Sequence, residues 1–227
     1  MSTLDLIKTN LKDNANRART VNIVFMIFVA VSIFQFFFSI VLIGVFESGD
    51  YELTATFQVL ESIIALAVFG LMIVSIVVFL NWFRRAYGNL HRAGVKHLEY
   101  SETMAIWAFF IPFVNLVRPY SIMKEIWNDT QSAIQKLDSD YSPNISTSLV
   151  GWWWGFHIFS NIVSTAIVRL SPEGVTLQEL TTIAQADLFI HTMTAIDALL
   201  VVLMVRKISN MESKLFEESK KASDDFA

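Results

Sequence analysis

Residues 57–85 read FQVLESIIALAVFGLMIVSIVVFLNWFRR, an apolar run that carries one acid, Glu61, and stops at the paired Arg84 and Arg85. A helix of this length exceeds the roughly 20 apolar residues that cross a hydrocarbon core of about 30 Å. Arginines at one end of such a run mark the cytoplasmic face of a membrane. Three more runs have the same character, residues 21–46, 149–170 and 182–208. With all four crossing once, sixteen of the seventeen Lys and Arg residues fall on one side and only Arg169 on the other.

Composition agrees. The chain is 54% hydrophobic and 17% charged, with mean hydropathy +0.49, whereas a soluble domain has about 45–50% apolar and about 25% charged residues. Net charge is −4, but acids and bases are segregated along the chain, a pattern that argues against nucleic acid as a partner. Cysteine is absent, which excludes disulfides, thiolate metal sites and Cys nucleophiles. The first twenty residues contain Asp5 and Asp13, and the apolar run after them is too long for a signal-peptide core. The first run is therefore expected to be retained as a helix.

The basic residues set the orientation. Lys8, Lys12, Arg17 and Arg19 precede the first run; Arg84, Arg85, Arg92, Lys96, Arg118, Lys124 and Lys136 lie between the second and third; Arg206, Lys207, Lys214, Lys220 and Lys221 end or follow the fourth. Both termini are then cytoplasmic. A fifth apolar stretch, residues 104–117, is short for a span and interrupted by Pro112, so it is expected to be re-entrant or interfacial. Were it to cross, the C-terminus would lie outside. Pro119 suits the start of a new helix running toward Leu137, which completes an interfacial segment over 104–137. Thr176-Leu-Gln-Glu179 has capping-box spacing ahead of the last run. That helix is expected to continue into a cytoplasmic tail, residues 209–227, whose last five residues fray. No repeat or linker divides the chain, and a single membrane domain over 1–227 is the simplest organisation.

Trp82-Phe-Arg-Arg-Ala-Tyr-Gly-Asn-Leu90, Tyr100-Ser101, Phe110-Ile-Pro-Phe-Val-Asn-Leu116, Arg118-Pro119-Tyr120, Glu125-Ile-Trp127 and Gly151-Trp-Trp-Trp154 follow one another with characteristic spacing. The order resembles the domain-of-unknown-function 4328 family of bacterial membrane proteins. The resemblance implies a polytopic helical protein of the bacterial inner membrane and supplies no catalytic residues. Pro112, Asn115, Arg118, Pro119 and Trp127 are read as structural, with the Asn115 amide able to close the turn that Pro112 breaks. Arg84, Arg85 and Arg118 are candidates for lipid headgroups, although the positive-inside bias alone accounts for their positions. Trp82, Trp127 and Trp152 to Trp154 read as an aromatic belt at the inner interface.

Ionisable residues inside the apolar runs are costly and usually have partners. Asp187, His191, Thr194 and Asp197 share one face of the last run, and His157, Asn161 and Ser164 one face of the third. His157 and His191 both approach the midplane, where they are expected to be able to meet; Glu61 lies at a depth similar to Asp187. The candidate intramembrane site is thus Glu61, His157, Asn161, Asp187, His191 and Asp197. No catalytic motif is present and no enzyme is expected.

The fold expected is an all-α, integral membrane four-helix bundle with an extra re-entrant or interfacial element. Its expected role is a scaffold or interaction module embedded in the lipid bilayer, with a membrane-protein partner or a second copy. A small transporter or sensor using the polar stripe ranks second. A haem or divalent metal held by His157 and His191 ranks third.

Overall fold

The computed structural model describes residues 11–224; the readings that rest on Asp5, Lys8 and residues 225–227 lie outside them. The described residues are all helical or irregular, without strands: α1 (Ala15–Glu47), α2 (Tyr51–Arg92), α3 (Met104–Trp107), a single 3-10 turn (Val114–Leu116), α4 (Arg118–Leu137), α5 (Ser148–Leu170) and α6 (Leu177–Asp224). Three of these, α1, α2 and α6, are long and apolar enough to cross a membrane. The 23 residues of α5 give it sufficient length, but three tryptophans, His157 and Asn161 dilute its apolar character.

Local chemistry fixes the helix ends. Asp50 accepts from the Leu53 N–H at 3.0 Å and opens α2 directly after the Ser48–Asp50 turn. Past its apolar run α2 continues to Arg92, where Gly94 takes φ 72°. The Val95 N–H then reaches the Leu90 carbonyl at 3.2 Å and the Gly94 N–H reaches His91 at 3.0 Å, the paired bonds of a left-handed helix terminator that glycine accommodates without strain. At the head of α6 the capping box forms as its spacing predicts. Glu179 Oε2 accepts from the Thr176 N–H at 3.0 Å while Thr176 Oγ1 accepts from the Glu179 N–H at 3.2 Å.

The stretch around Pro112 is not a continuous helix. It holds the four residues of α3, then turns, and Phe113 is forced to φ 64°, a left-handed conformation costly for an aromatic residue. Main-chain bonds close the break: Asn115 N–H to Ile111 at 3.0 Å and Val114 N–H to Pro112 at 2.8 Å. The Asn115 side chain, expected to do this, makes no hydrogen bond among the described residues. The exposed Leu116 carbonyl is taken instead by Trp154 Nε1 at 2.8 Å.

Packing divides the chain into two compact units, one of Met1–Asn22, Ile76–Trp154 and Val202–Ala227, the other of Ile23–Ser75 and Gly155–Val201. In the first, Phe79, Trp82, Phe83, Phe109, Trp153 and Trp154 form a chain of ring contacts with centroids 5.1 to 6.5 Å apart, tilted or edge-on except for the stacked Phe79–Phe83 pair. Trp82, Trp127, Trp153 and Trp154 are therefore core residues, not an interfacial belt; of the five, only Trp152 is exposed. A second cluster joins Ala93, Ala133, Ile134 and Leu215. The other unit has a smaller core of Leu42, Val45, Phe46 and Ala184, with Phe38 stacked on Phe57.

Trp127 links α4 to the segment after it, since its Nε1 and Gln131 Nε2 both donate to the Asn144 carbonyl at 3.2 Å. Truncation empties a fully packed site and leaves that carbonyl with the Gln131 donor alone. Trp127→Ala is expected to destabilise the first unit by about 3–5 kcal/mol, with Trp127→Phe retaining most of the stability, as measured by thermal unfolding in detergent.

Candidate functional site

The six polar residues of the apolar runs do not gather at one point. His157 Nδ1 lies 2.8 Å from Asp197 Oδ2, joining α5 to α6. Asn161 turns back on its own helix and donates to the His157 carbonyl at 2.7 Å. Glu61 and Asp187 are close enough for their charges to interact. His191, one turn beyond Asp187, makes no hydrogen bond among the described residues. The imidazole of His157 thus pairs with a carboxylate of α6 and not with His191. Among the described residues no three His, Asp or Glu side chains are placed to hold a metal ion.

Sequence reading missed a second polar cluster, in the first unit and beyond the apolar run of α6. Glu212 is buried there. Asn14 Nδ2 donates to both of its carboxylate oxygens, at 3.0 and 3.1 Å, and also lies 3.3 Å from the Trp82 carbonyl. Asn89 Nδ2 approaches Glu212 Oε1 at 3.4 Å and donates to the Lys12 carbonyl at 2.8 Å, while Asn89 Oδ1 accepts from the Lys12 N–H at 3.1 Å. One carboxyl group thereby ties the entry to α1, the end of α2 and the tail of α6. Its signal in the sequence is slight: an acid four residues after Ile208 and three before Leu215, on the face those two buried residues define. Burial raises the Glu212 carboxyl to about 7, outweighing the two amides that favour its ionised form.

The residues that carry the family resemblance converge on the same unit. Tyr87, fully buried, donates to Glu125 Oε2 at 2.5 Å and accepts from the Tyr100 N–H at 3.1 Å. The Glu99 N–H completes the arrangement at 3.3 Å from Glu125 Oε1. Burial pushes the Glu125 carboxyl and the Tyr87 hydroxyl up. Gly88 sits beneath Glu102, whose carboxyl carbon would lie 2.7 Å from any added Cβ. That gap lets Glu102 bridge Arg84 at 3.4 Å and Arg92 at 3.2 Å. Arg118 stacks on Tyr100, 5.4 Å from the ring centre. Pro119, Ile122, Ile126 and Trp127 present the buried side of α4.

Two measurements follow from these geometries. Because the folded-state pKa of Glu212 is raised, folding takes up a proton that the unfolded chain releases; the resulting stability is present below about pH 4.5 and is lost as pH rises toward 7. Relative to Glu212→Gln, the native chain should lose on the order of 3 kcal/mol across that window, read as melting temperature against pH for both proteins. For the α5–α6 pair, His157→Ala, Asp197→Ala and the double variant should give a coupling of about 0.6 kcal/mol in a double-mutant cycle, the average for polar pairs between membrane helices.

No match is found among curated proteins or among solved structures. A family model, described as a domain of unknown function (DUF4328), matches residues 47–210. That range takes in Tyr87, Gly88, Asn89, Glu125 and Trp127 together with both residues of the His157–Asp197 pair, and the chain belongs to the domain-of-unknown-function 4328 family.

Proposed function

We propose that this chain is a four-span protein of the bacterial inner membrane, with both termini cytoplasmic, that serves as a non-enzymatic scaffold for other membrane helices. α5 supplies the fourth span. The charge asymmetry and the break at Pro112 support the topology, since a four-residue helix followed by turns is not a spanning element.

The observation that carries the scaffold reading is how little the spans bury. Within the most apolar stretch of α2 only 11% of residues are buried, and in α1 only 17%. Large side chains such as Phe37, Ile63 and Leu66 point outward. Surfaces of this kind are solvated by lipid or covered by further helices, whether of a partner protein or of a second copy. By contrast, His157 and Asp197 bond to one another, as expected of a contact that holds helices together.

A small transporter or sensor is the second reading, favoured by the Glu61–Asp187 pair, because two acids sharing one intramembrane locus bind protons or cations readily.

Because the chain lacks Cys, topology can be mapped with single cysteines at Ser48, Ser139, Gly174 and Ser223. Membrane-impermeant reagent should label the first and third in intact cells; labelling of Ser223→Cys would overturn the four-span arrangement. A cysteine in place of Leu66 should crosslink to a neighbouring chain in membranes if the scaffold reading holds, and remain uncrosslinked if that face meets lipid alone.

A further inference from the structure

Four guanidinium groups lie together at the end of the apolar run of α2, those of Arg17, Arg84, Arg85 and Arg92, with one carboxylate, Glu102, among them. Glu102 spends its two oxygens on Arg84 and Arg92. Arg118, the other headgroup candidate of this region, is occupied by the Tyr100 ring. Arg85 makes no ion pair or hydrogen bond among the described residues. Its neighbour from α1 is held in place: Arg17 Nη1 donates to the Asn81 carbonyl at 3.1 Å. Asn81 and Arg85 are four residues apart, hence on one face of α2, so this bond sets the Arg17 guanidinium beside the root of the Arg85 side chain. Both arginines are half-buried. Like charges brought together in this way destabilise the fold unless an anion fills the gap. Burial and the nearby Arg17 both work against the charge on Arg85, so an anion between the two guanidinium groups would relieve both.

We propose that Arg17 and Arg85 form a binding site for the phosphate group of an anionic phospholipid. The inference rests on the membrane placement given above. Arg17 precedes the first apolar run and Arg85 follows the second, so both sit at the level of inner-leaflet headgroups. Two guanidinium forks suit the two unesterified oxygens of a phosphodiester. Arg84 and Arg92, neutralised by Glu102, contribute field and no direct contact.

The test uses the full chain in mild detergent at about 0.15 M salt, titrated with short-chain phosphatidylglycerol, the matching phosphatidylcholine, or inorganic phosphate, with binding read by native mass spectrometry. Phosphatidylglycerol should bind at least about tenfold more tightly than phosphatidylcholine. Arg17→Gln and Arg85→Gln should each remove about tenfold, the scale of a lost charge-assisted contact, whereas Arg19→Gln should not. Glu102→Gln should tighten binding, an effect that a merely damaged fold cannot produce. Equal loss in Arg19→Gln, or equal affinity for phosphatidylcholine, would overturn the site. Displacement of the lipid by inorganic phosphate at equal concentration would keep the phosphate site and overturn its lipid occupant. Retention in carbonate-washed membranes, measured on the same variants, reports the membrane placement separately.

Discussion

A carboxyl group closed off from water is expensive, and the first unit of this fold is built around one. Glu212 is separated from Asn14 by 198 positions and from Asn89 by 123. Each of those amides also grips main chain, Asn14 at Trp82 and Asn89 at Lys12. Removing the acid while leaving the amides would strand buried donors, and removing an amide would strand a buried charge. The group therefore specifies which helices meet there as much as it stabilises their meeting. The aromatic chain from Phe79 to Trp154 and the α4 face of Ile122, Ile126 and Trp127 then have a fixed frame to fill.

The family motif gains a physical content from this arrangement. Its glycine, Gly88, is space for Glu102; its tyrosine, Tyr87, is a hydrogen-bond bridge between α4 and the loop after α2; its tryptophans apart from the exposed Trp152 are core, and Trp154 also caps a carbonyl. These are requirements of packing. Within the apolar segments few constraints of that kind are visible among the described residues, and the outward faces of α1 and α2 are apolar surface compatible with lipid.

Features written locally were legible in the sequence. Apolar length, the Thr176–Glu179 cap and the break at Pro112 each depend on residues near one another along the chain. Pairings across the fold were not. His157 was expected near His191 because both approach the same depth, but depth leaves the rotation of each helix about its own axis undetermined, and that rotation turns His157 toward Asp197. The tryptophans misled for a related reason, since an amphipathic ring at a helix end satisfies an interface or a core equally well. Glu212 escaped notice because charged residues in a tail are ordinarily solvated. The continuation of α6 past its apolar run was expected, and the helix extends over 48 residues; what has no local signature is that its far part enters a packed unit.

The contact between Asn89 and Lys12 has a bearing on how the sequence is free to drift. The carboxamide of Asn89 engages the N–H and the carbonyl of residue 12 at once, at 3.1 and 2.8 Å, copying the pairing of one peptide group with another. Nothing in that recognition involves the lysine side chain, which is exposed. Position 12 is thus open to nearly every amino acid, with proline barred because it has no N–H to offer. Position 89 is the reverse: there an acceptor and a donor must leave one short side chain in a fixed plane, and aspartate, though equal in size, supplies only half of the pair.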